Sequence, residues 1–171
     1  SKMLQNALYN LKFYDVTIHK VEDEYDKTLS KLNEVINEND LVIVSGGISV
    51  GDYDFVGKAL EELKVEALFY KVKQKPGKPL FFGKKNDTLV FALPGNPAAA
   101  LTCFYIYVHI ALQKMMDNPD VELPCIKAKS LTKFIKHGDR PQFLKAIYKD
   151  GEASILEGQS SAMLQTFAIS N

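Results

Sequence analysis

Small residues suited to binding anions follow an apolar run at positions 41–44. Four aliphatic residues without polar alternation predict a strand buried on both faces, as in a parallel sheet. Apolar residues at helical spacing from Phe55 predict a helix that begins near residue 54, so the unit is strand, glycine-rich loop and helix. Such a loop either cradles phosphate with its backbone N–H groups or simply turns the chain. The candidate phosphate ligands are Ser45, Gly46, Gly47, Ser49 and Gly51.

Two carboxylates, Asp52 and Asp54, stand at the end of this loop. In phosphate sites, Mg²⁺ is usually held by one or two carboxylates together with phosphate oxygens and water. Both residues are therefore candidate magnesium ligands. An equally simple interpretation of Asp52 is that its side chain caps the N-terminus of the helix that follows.

A second group of charged residues consists of Lys71, Lys73, Lys75 and Lys78. The sequence predicts a strand over residues 67–74, which would place the first three ammonium groups on one side of an extended chain. Pro76-Gly77 predicts a type II turn directly after them. Ammonium groups in this arrangement suit phosphate or another oxyanion, whereas the alternative is a solvated edge strand protected by lysines. The residues alone leave both interpretations open.

The remaining elements place these residues on a sheet with helices on its faces. Amphipathic patterns predict helices over residues 1–12 and 25–36, and a strand over residues 16–21. A hairpin is predicted for residues 80–93, and a long apolar helix for residues 97–116, with Asn96 as its N-cap and Pro97 as its first residue. Alternation of this kind predicts an α/β fold, a three-layer αβα sandwich with a mainly parallel sheet, for residues 1–119.

After residue 119 the hydrophobic period changes from helical to alternating. Ile126, Ala128 and Ser130 alternate with lysines, and residues 143–149 are separated from residues 153–156 by Asp150-Gly151, a dipeptide typical of tight hairpins. Residues 120–171 are therefore predicted to form a separate small β domain.

Composition restricts the class of protein. The 171 residues contain 21 Lys plus Arg and 21 Asp plus Glu, so no net charge favours nucleic acid or a membrane surface. The longest apolar run, residues 98–112, is shorter than the roughly 20 residues that span a bilayer. Cys103 and Cys125 have no metal-ligand spacing and are expected to be core thiols in a reducing, cytoplasmic setting.

Three motifs in this order resemble the molybdopterin molybdenumtransferase family of the MoeA type, which includes the E domain of gephyrin. They are Ser45-Gly46-Gly47-Ile48-Ser49-Val50-Gly51-Asp52-Tyr53-Asp54, Lys75-Pro76-Gly77-Lys78-Pro79 and Leu93-Pro94-Gly95-Asn96-Pro97. The resemblance covers essentially the whole chain and implies a fold like that of MogA and MoaB, followed by a β-barrel domain. It implies insertion of molybdate into adenylylated molybdopterin with Mg²⁺, which yields molybdenum cofactor and AMP.

The resemblance also assigns roles residue by residue. Asp54 matches the acidic residue of the family's glycine loop, and Lys71 and Lys75 match its two basic active-site residues. Pro94 and Pro97 match the prolines of the Pro-Gly-Asn-Pro turn. The predicted cofactor-binding set therefore also includes the other members of the matched motifs: Gly77, Lys78, Gly95 and Asn96.

In the C-terminal region the match is looser. Ser161, in Gln159-Ser160-Ser161, resembles a functional serine of the family's β domain. Lys145 stands where the family usually has arginine, and this departure weakens any bidentate oxyanion contact there. Arg140 resembles the arginine of the family's Gly-Arg pattern.

The resemblance implies that the chain is a fragment of a homodimeric protein. Family members carry two further N-terminal domains and a Thr-Gly-Asp loop, so the fragment is expected to be close to inactive alone. Two other classes remain as alternatives. One is a nucleotide-handling domain of the same fold, such as a molybdopterin adenylyltransferase or a CinA-like domain, and the other is a scaffold module like gephyrin.

Overall fold

A mixed four-stranded sheet organises the N-terminal half of the chain, with strands in the order β1, β4, β3, β2. A computed structural model describes residues 1–48 and 55–170. The chain forms two compact units, residues 1–72 with 79–95 and residues 73–78 with 96–171. These units differ from the predicted domains 1–119 and 120–171, and that division stays a prediction. The first unit contains α1 (Lys2–Asn10), α2 (Tyr25–Glu38), β1 (Leu41–Ser45), α3 (Phe55–Glu62), β2 (Glu66–Tyr70), β3 (Phe81–Lys85) and β4 (Thr88–Leu93).

The predicted α/β class is confirmed, and the directions of the strands refine it. β1 pairs with β4 in parallel, whereas β3 pairs antiparallel with both β4 and β2. Three of the four strands therefore run in one direction, but only one neighbouring pair is parallel. The sheet is therefore mixed, because the short β3–β4 hairpin turns the chain back on itself at Asn86 (φ 54°).

A shared hydrophobic core joins the sheet to α2 and α3. The apolar face of α2 buries Leu32, Val35 and Ile36. These side chains pack with residues of β1, α3, β3 and β4, and Ala59, Leu60, Val90 and Ala92 are fully excluded from solvent. The side-chain amide of Asn39 donates to Val35 O at the end of α2, so the polar segment after the helix satisfies one of its last carbonyls. The second helical layer of the predicted sandwich stays a prediction.

The environment of β1 differs from the prediction. β1 lies at one edge of the sheet, and only Val42 in it is buried. Residues 16–21, predicted as a strand, form no ladder with any described residue, and Ile18 is exposed. The strand predicted at residues 16–21 is wrong because a pattern identifies a segment able to pair, whereas a strand exists only where a partner completes its hydrogen bonds. β1 does pair with β4, but the prediction that both of its faces are buried is wrong because its position at the edge of the sheet leaves most of its residues only partly covered.

The second unit begins with a long helix whose register shifts in its middle. It runs as α4 (Pro97–Cys103), a π-helical segment (Phe104–Val108) and α5 (His109–Met115), close to the predicted bounds of 97–116. Its apolar residues are largely buried, as the nearly uniform pattern predicts. Among the described residues, no helix is both long enough and apolar enough to cross a bilayer.

A small sheet follows in the same unit. β5 (Lys129–Ser130), β6 (Ala146–Lys149) and β7 (Glu152–Ile155) are arranged in the order β5, β7, β6. The predicted hairpin is confirmed, and both residues of its Asp150-Gly151 turn have positive φ. The sequence did not predict α6 (Leu164–Ile169), a single short helix near the end of the chain.

The burial of Leu60 yields a matched test of this core. Leu60 is 0% exposed, whereas Leu68 on β2 is 49% exposed. We expect Leu60→Ala to lower the free energy of unfolding by about 2–5 kcal/mol, because it leaves a cavity. Leu68→Ala should cost about 0.5 kcal/mol or less. Urea denaturation followed by far-UV circular dichroism measures both, and equal losses would contradict the assignment of the core.

Candidate functional site

Two of the predicted motifs meet at the carboxyl end of the parallel strand pair. Ser45 and Leu93 are directly opposed as the last residues of β1 and β4, so the glycine loop and the Pro94-Gly95 turn leave the sheet side by side. The Gly46 N–H donates to Leu93 O at 3.3 Å. A Cβ built on Gly95 would lie 3.6 Å from Gly46 Cα. Ligands of open α/β sheets bind at this edge.

The backbone of the glycine loop needs glycine for two different reasons. Gly46 and Gly47 have φ of 89° and 68°, in the left-handed region. A Cβ on Gly47 would also lie 2.7 Å from Val56 Cγ2 of α3, whereas nothing lies within 4 Å of one on Gly46. Because the Gly46 N–H already binds Leu93 O, it is not one of the bare donors that the sequence predicted. Ser49, Gly51, Asp52 and Asp54 lie outside the described residues.

Lys71 lies at this same edge of the sheet. β2 runs in the same direction as β4, and β3 lies between them. The axes of β2 and β4 are therefore about 10 Å apart. Lys71 follows β2 directly, with φ of 65°, and its N–H donates to Leu80 O at 2.9 Å. Its ammonium is exposed and lies 4.9 Å from the centroid of the Tyr70 ring. The edge thus combines a small-residue loop, a proline turn and one cation.

The predicted strand that would align three lysines on one side is not present. β2 ends at Tyr70 rather than at residue 74, and the positive φ of Lys71 ends the extended conformation. Lys71, Lys73 and Lys75 therefore do not alternate along one strand. Lys73 instead forms an ion pair with Asp139 at 2.9 Å, within the second unit. This hydrogen bond from Lys73 lowers the pKa of the Asp139 carboxyl.

Lys75 begins a turn, residues 75–78, that we call the lysine turn. The Lys75 N–H donates to Pro141 O and its carbonyl accepts from Phe143 N–H, so Lys75 and Gln142 form a short parallel bridge. The Lys75–Pro76 bond is cis, and Gly77 has φ of 90°. Gly77 is buried, whereas Lys75 and Lys78 on either side of it are exposed. The turn therefore presents two ammonium groups from a packed backbone.

The third motif is linked to the predicted serine. Asn96 occupies the N-cap position of α4 and Pro97 its first turn, as predicted. The Asn96 side chain makes no capping hydrogen bond, and its Nδ2 donates to Ser161 Oγ at 3.2 Å. Two predicted binding residues, 65 positions apart, thus lie in contact within the second unit.

Lys145 holds the loop that carries Ser161. Its Nζ donates to Gly158 O and Ser160 O, each at 3.1 Å, and lies 3.5 Å from Met163 O. The Gln159 amide also bonds both the N–H and the carbonyl of Lys145. Burial lowers the pKa of the Lys145 ammonium. Lys145 is therefore a loop-organising residue, a role that the sequence comparison with arginine did not predict.

The second unit contains a cavity of about 220 Å³ beside this loop. Lys145, Gln159 and Ser161 line it on the polar side. Aromatic and aliphatic residues form most of the remaining lining, and the rings of Tyr105 and Phe167 stack 6.3 Å apart. Arg140, the predicted Gly-Arg residue, donates instead to Gln74 O at 3.4 Å.

The two cysteines have different environments, and both are free. Cys103 is buried in the helix, and burial raises the pKa of its thiol to about 12. Cys125 is exposed, so its prediction as a core thiol is wrong. Within residues 1–48 and 55–170, no group of three or more His, Cys, Asp or Glu side chains could hold a metal ion.

The sequence of the chain matches one family and several characterised relatives. The chain belongs to the family described as the probable molybdopterin binding domain, which matches residues 1–114. It is 33% identical over 137 residues to the molybdopterin molybdenumtransferase of Bacillus subtilis, covering 80% of this chain and 32% of the relative. It is 36% identical over 170 residues to the molybdenum cofactor synthesis protein cinnamon of Drosophila melanogaster, covering 96% of this chain and 28% of the relative.

Solved structures show the same fold. Two structures of the molybdopterin biosynthesis MoeA protein from Pyrococcus horikoshii superpose with TM-scores of 0.80 and 0.75 at 24% identity. They cover 99% and 100% of this chain, which corresponds to 41% and 40% of theirs. The family model and the sequence relatives confirm the predicted family, and the chain spans about a third of the length of the sequence relatives named above.

The two glycines of the loop offer a paired substitution. Gly46→Ala and Gly47→Ala both force a side chain into the left-handed region, at a cost of about 1 kcal/mol. Gly47→Ala must also displace Val56, so we expect it to destabilise the protein by about 1–3 kcal/mol more. Thermal and urea unfolding of the two variants measure the difference. Equal stability would contradict the packing of the loop on α3.

Proposed function

We propose that the chain is part of a molybdopterin molybdenumtransferase acting in molybdenum cofactor biosynthesis. This enzyme inserts molybdate into adenylylated molybdopterin and releases molybdenum cofactor and AMP. Family membership supports the pterin substrate. The observation that carries the proposal is the carboxyl edge of β1 and β4, where the glycine loop adjoins the Pro94-Gly95 turn, with Lys71 on the same edge of the sheet.

Each part of this edge has a proposed task in the first unit. Ser45 and the glycines leave room for a phosphate to approach the backbone, since they carry small side chains or none. Pro94 is buried and fixes the backbone of the adjoining turn. Lys71 is exposed and places one positive charge at the same edge, where it stabilises negative charge on a phosphoryl group or molybdate.

Magnesium is proposed as the metal, with Asp54 and Asp52 as its ligands. Carboxylate oxygens are hard donors that fit Mg²⁺, and these two residues stand in the glycine-rich segment that the family match assigns to this domain. The ion would supply charge neutralisation to the phosphate oxygens. The described residues around the loop hold its backbone in place. Val56 packs against Gly47, and the Gly47 carbonyl accepts a hydrogen bond from the Val56 N–H at 3.4 Å.

In the second unit, Lys75 and Lys78 are proposed to attract molybdate. Both are exposed, and they flank Gly77, which is buried in the middle of the turn. The two ammonium groups can therefore reach a ligand from a backbone that is packed in place. Asn96 and Ser161 are proposed to bind polar groups of the molybdopterin substrate. Their mutual hydrogen bond keeps both side chains in place before the substrate arrives.

The complete enzyme is proposed to be longer than this chain, cytoplasmic and homodimeric. The relatives that carry the enzyme's name are about three times as long as the part matched here. We therefore expect the isolated 171-residue chain to be close to inactive in molybdate insertion, with activity restored in the longer protein. Normal turnover by the isolated chain would contradict the proposal that the active enzyme requires the longer protein.

Substitution of three lysines tests the oxyanion role in the longer enzyme. Lys71→Ala and Lys75→Ala should raise the molybdate concentration for half-maximal cofactor formation by about two- to fivefold, as expected for exposed charges. Lys73→Ala is the matched control, because its ammonium is already paired with Asp139. The measurement is a molybdate titration of each variant. If Lys73→Ala is the most damaging, or if none shifts the titration, these lysines are only a solvated surface.

The two aspartates separate metal binding from helix capping. Asp54→Ala should abolish Mg²⁺-dependent turnover in the longer enzyme and leave its melting temperature unchanged. Asp52→Ala should retain most turnover and cost about 1 kcal/mol of stability, as loss of an N-cap does. Magnesium titrations and thermal unfolding of both variants provide the measurement. Equal destabilisation with full activity in both would reverse the assignment.

A further inference from the structure

Gln74 is a buried polar side chain between two exposed lysines. It is 2% exposed, and Lys73 and Lys75 on either side of it face solvent. A buried amide costs free energy unless its donor and acceptor both find partners. We therefore expect the buried Gln74 amide to form hydrogen bonds that hold the segment leading into the lysine turn.

Every polar end of this amide is engaged. Its Nε2 donates to Pro76 O at 3.0 Å and lies 3.6 Å from Cys103 Sγ. Its Oε1 accepts from the hydroxyl of Tyr107. Because the Pro76 carbonyl can only accept, the amide nitrogen must face it, and the orientation of the amide follows from this chemistry. The Gln74 side chain thus joins the lysine turn to the long helix.

Gly77 shows how closely the turn is packed. A Cβ on Gly77 would collide with Cys103 Sγ and lie 2.9 Å from Gln74 Nε2. Cys103 and Tyr107 are one helical repeat apart, so the helix offers both groups on one side. Tyr107 belongs to the π-helical segment, a local change of register that often accompanies functional sites.

We infer that Gln74, held by the Tyr107 hydroxyl, is the positioning residue of the lysine turn, fixing the backbone from which Lys75 and Lys78 reach an oxyanion. The inference rests on the proposed function for the identity of that ligand. Exposed lysine side chains lose rotamer freedom when they bind an anion. If the backbone that carries them is already fixed, the total conformational entropy lost on binding is smaller. The buried amide therefore acts on affinity through geometry, without touching the anion.

Hydrogen exchange of the backbone amides tests the positioning directly. Tyr107→Phe removes one hydroxyl, and Gln74→Glu keeps the shape but removes the donor to Pro76 O. Both should accelerate exchange in residues 73–78 by at least about tenfold, as expected for one lost buried hydrogen bond, while α4 and α5 stay protected. Tyr14→Phe, at a 69% exposed tyrosine, is the control and should change nothing. Unchanged exchange in the turn for both variants would overturn the inference.

The same variants in the longer enzyme keep this inference distinct from the proposed function. Tyr107→Phe should raise the half-saturating molybdate concentration as Lys75→Ala does, with kcat little changed. A shift in Lys75→Ala without any shift in Tyr107→Phe would overturn the positioning role. If Lys75→Ala itself has no effect, the oxyanion function fails, and accelerated exchange in Tyr107→Phe still supports Gln74 as the residue that fixes the turn.

Discussion

The parallel pairing of β1 with β4 is the constraint on which the first unit depends. It joins residues 41–45 to residues 89–93, nearly fifty positions away, and aligns Ser45 with Leu93. This register brings the glycine loop against the Pro94-Gly95 turn, and a slip of β1 by one residue would turn its buried side chain away from the core. The core below, where Val42, Val90 and Ala92 pack with α2 and α3, stabilises that register.

Sequence patterns predicted the elements that depend on local periodicity or turn chemistry. α2, the β3–β4 hairpin and the Asp150-Gly151 turn were confirmed, since each is encoded within a few residues. Patterns failed where a distant partner decides. β2 stops at Tyr70 because the Lys71 backbone turns toward Leu80, and no periodicity in residues 67–74 reveals that contact.

The candidate site shows the same division. The motifs predicted Gly46, Gly95, Asn96 and Ser161 as site residues, and the structure brings Gly46 beside Gly95 and Asn96 beside Ser161. The supporting contacts were not predicted: Gln74 carries no motif, and Lys145, which the sequence marked only as a departure from the family's arginine, holds loop carbonyls through its ammonium. The sequence signal for a supporting role of Gln74 is its position between two lysines, because a neutral amide costs less free energy to bury than the charged groups beside it.

The position of β3 has a consequence for the order of assembly. The β3–β4 hairpin closes a very short loop, whereas β1 must find β4 across a much longer one, and long-range closure is entropically more costly and slower. We expect the hairpin to form early and to serve as the template on which β1 docks. The edge of the sheet that carries the candidate site would then be completed last, by the long-range pairing of β1 with β4. A chain that can bind its ligand would therefore also be one whose first unit has finished folding.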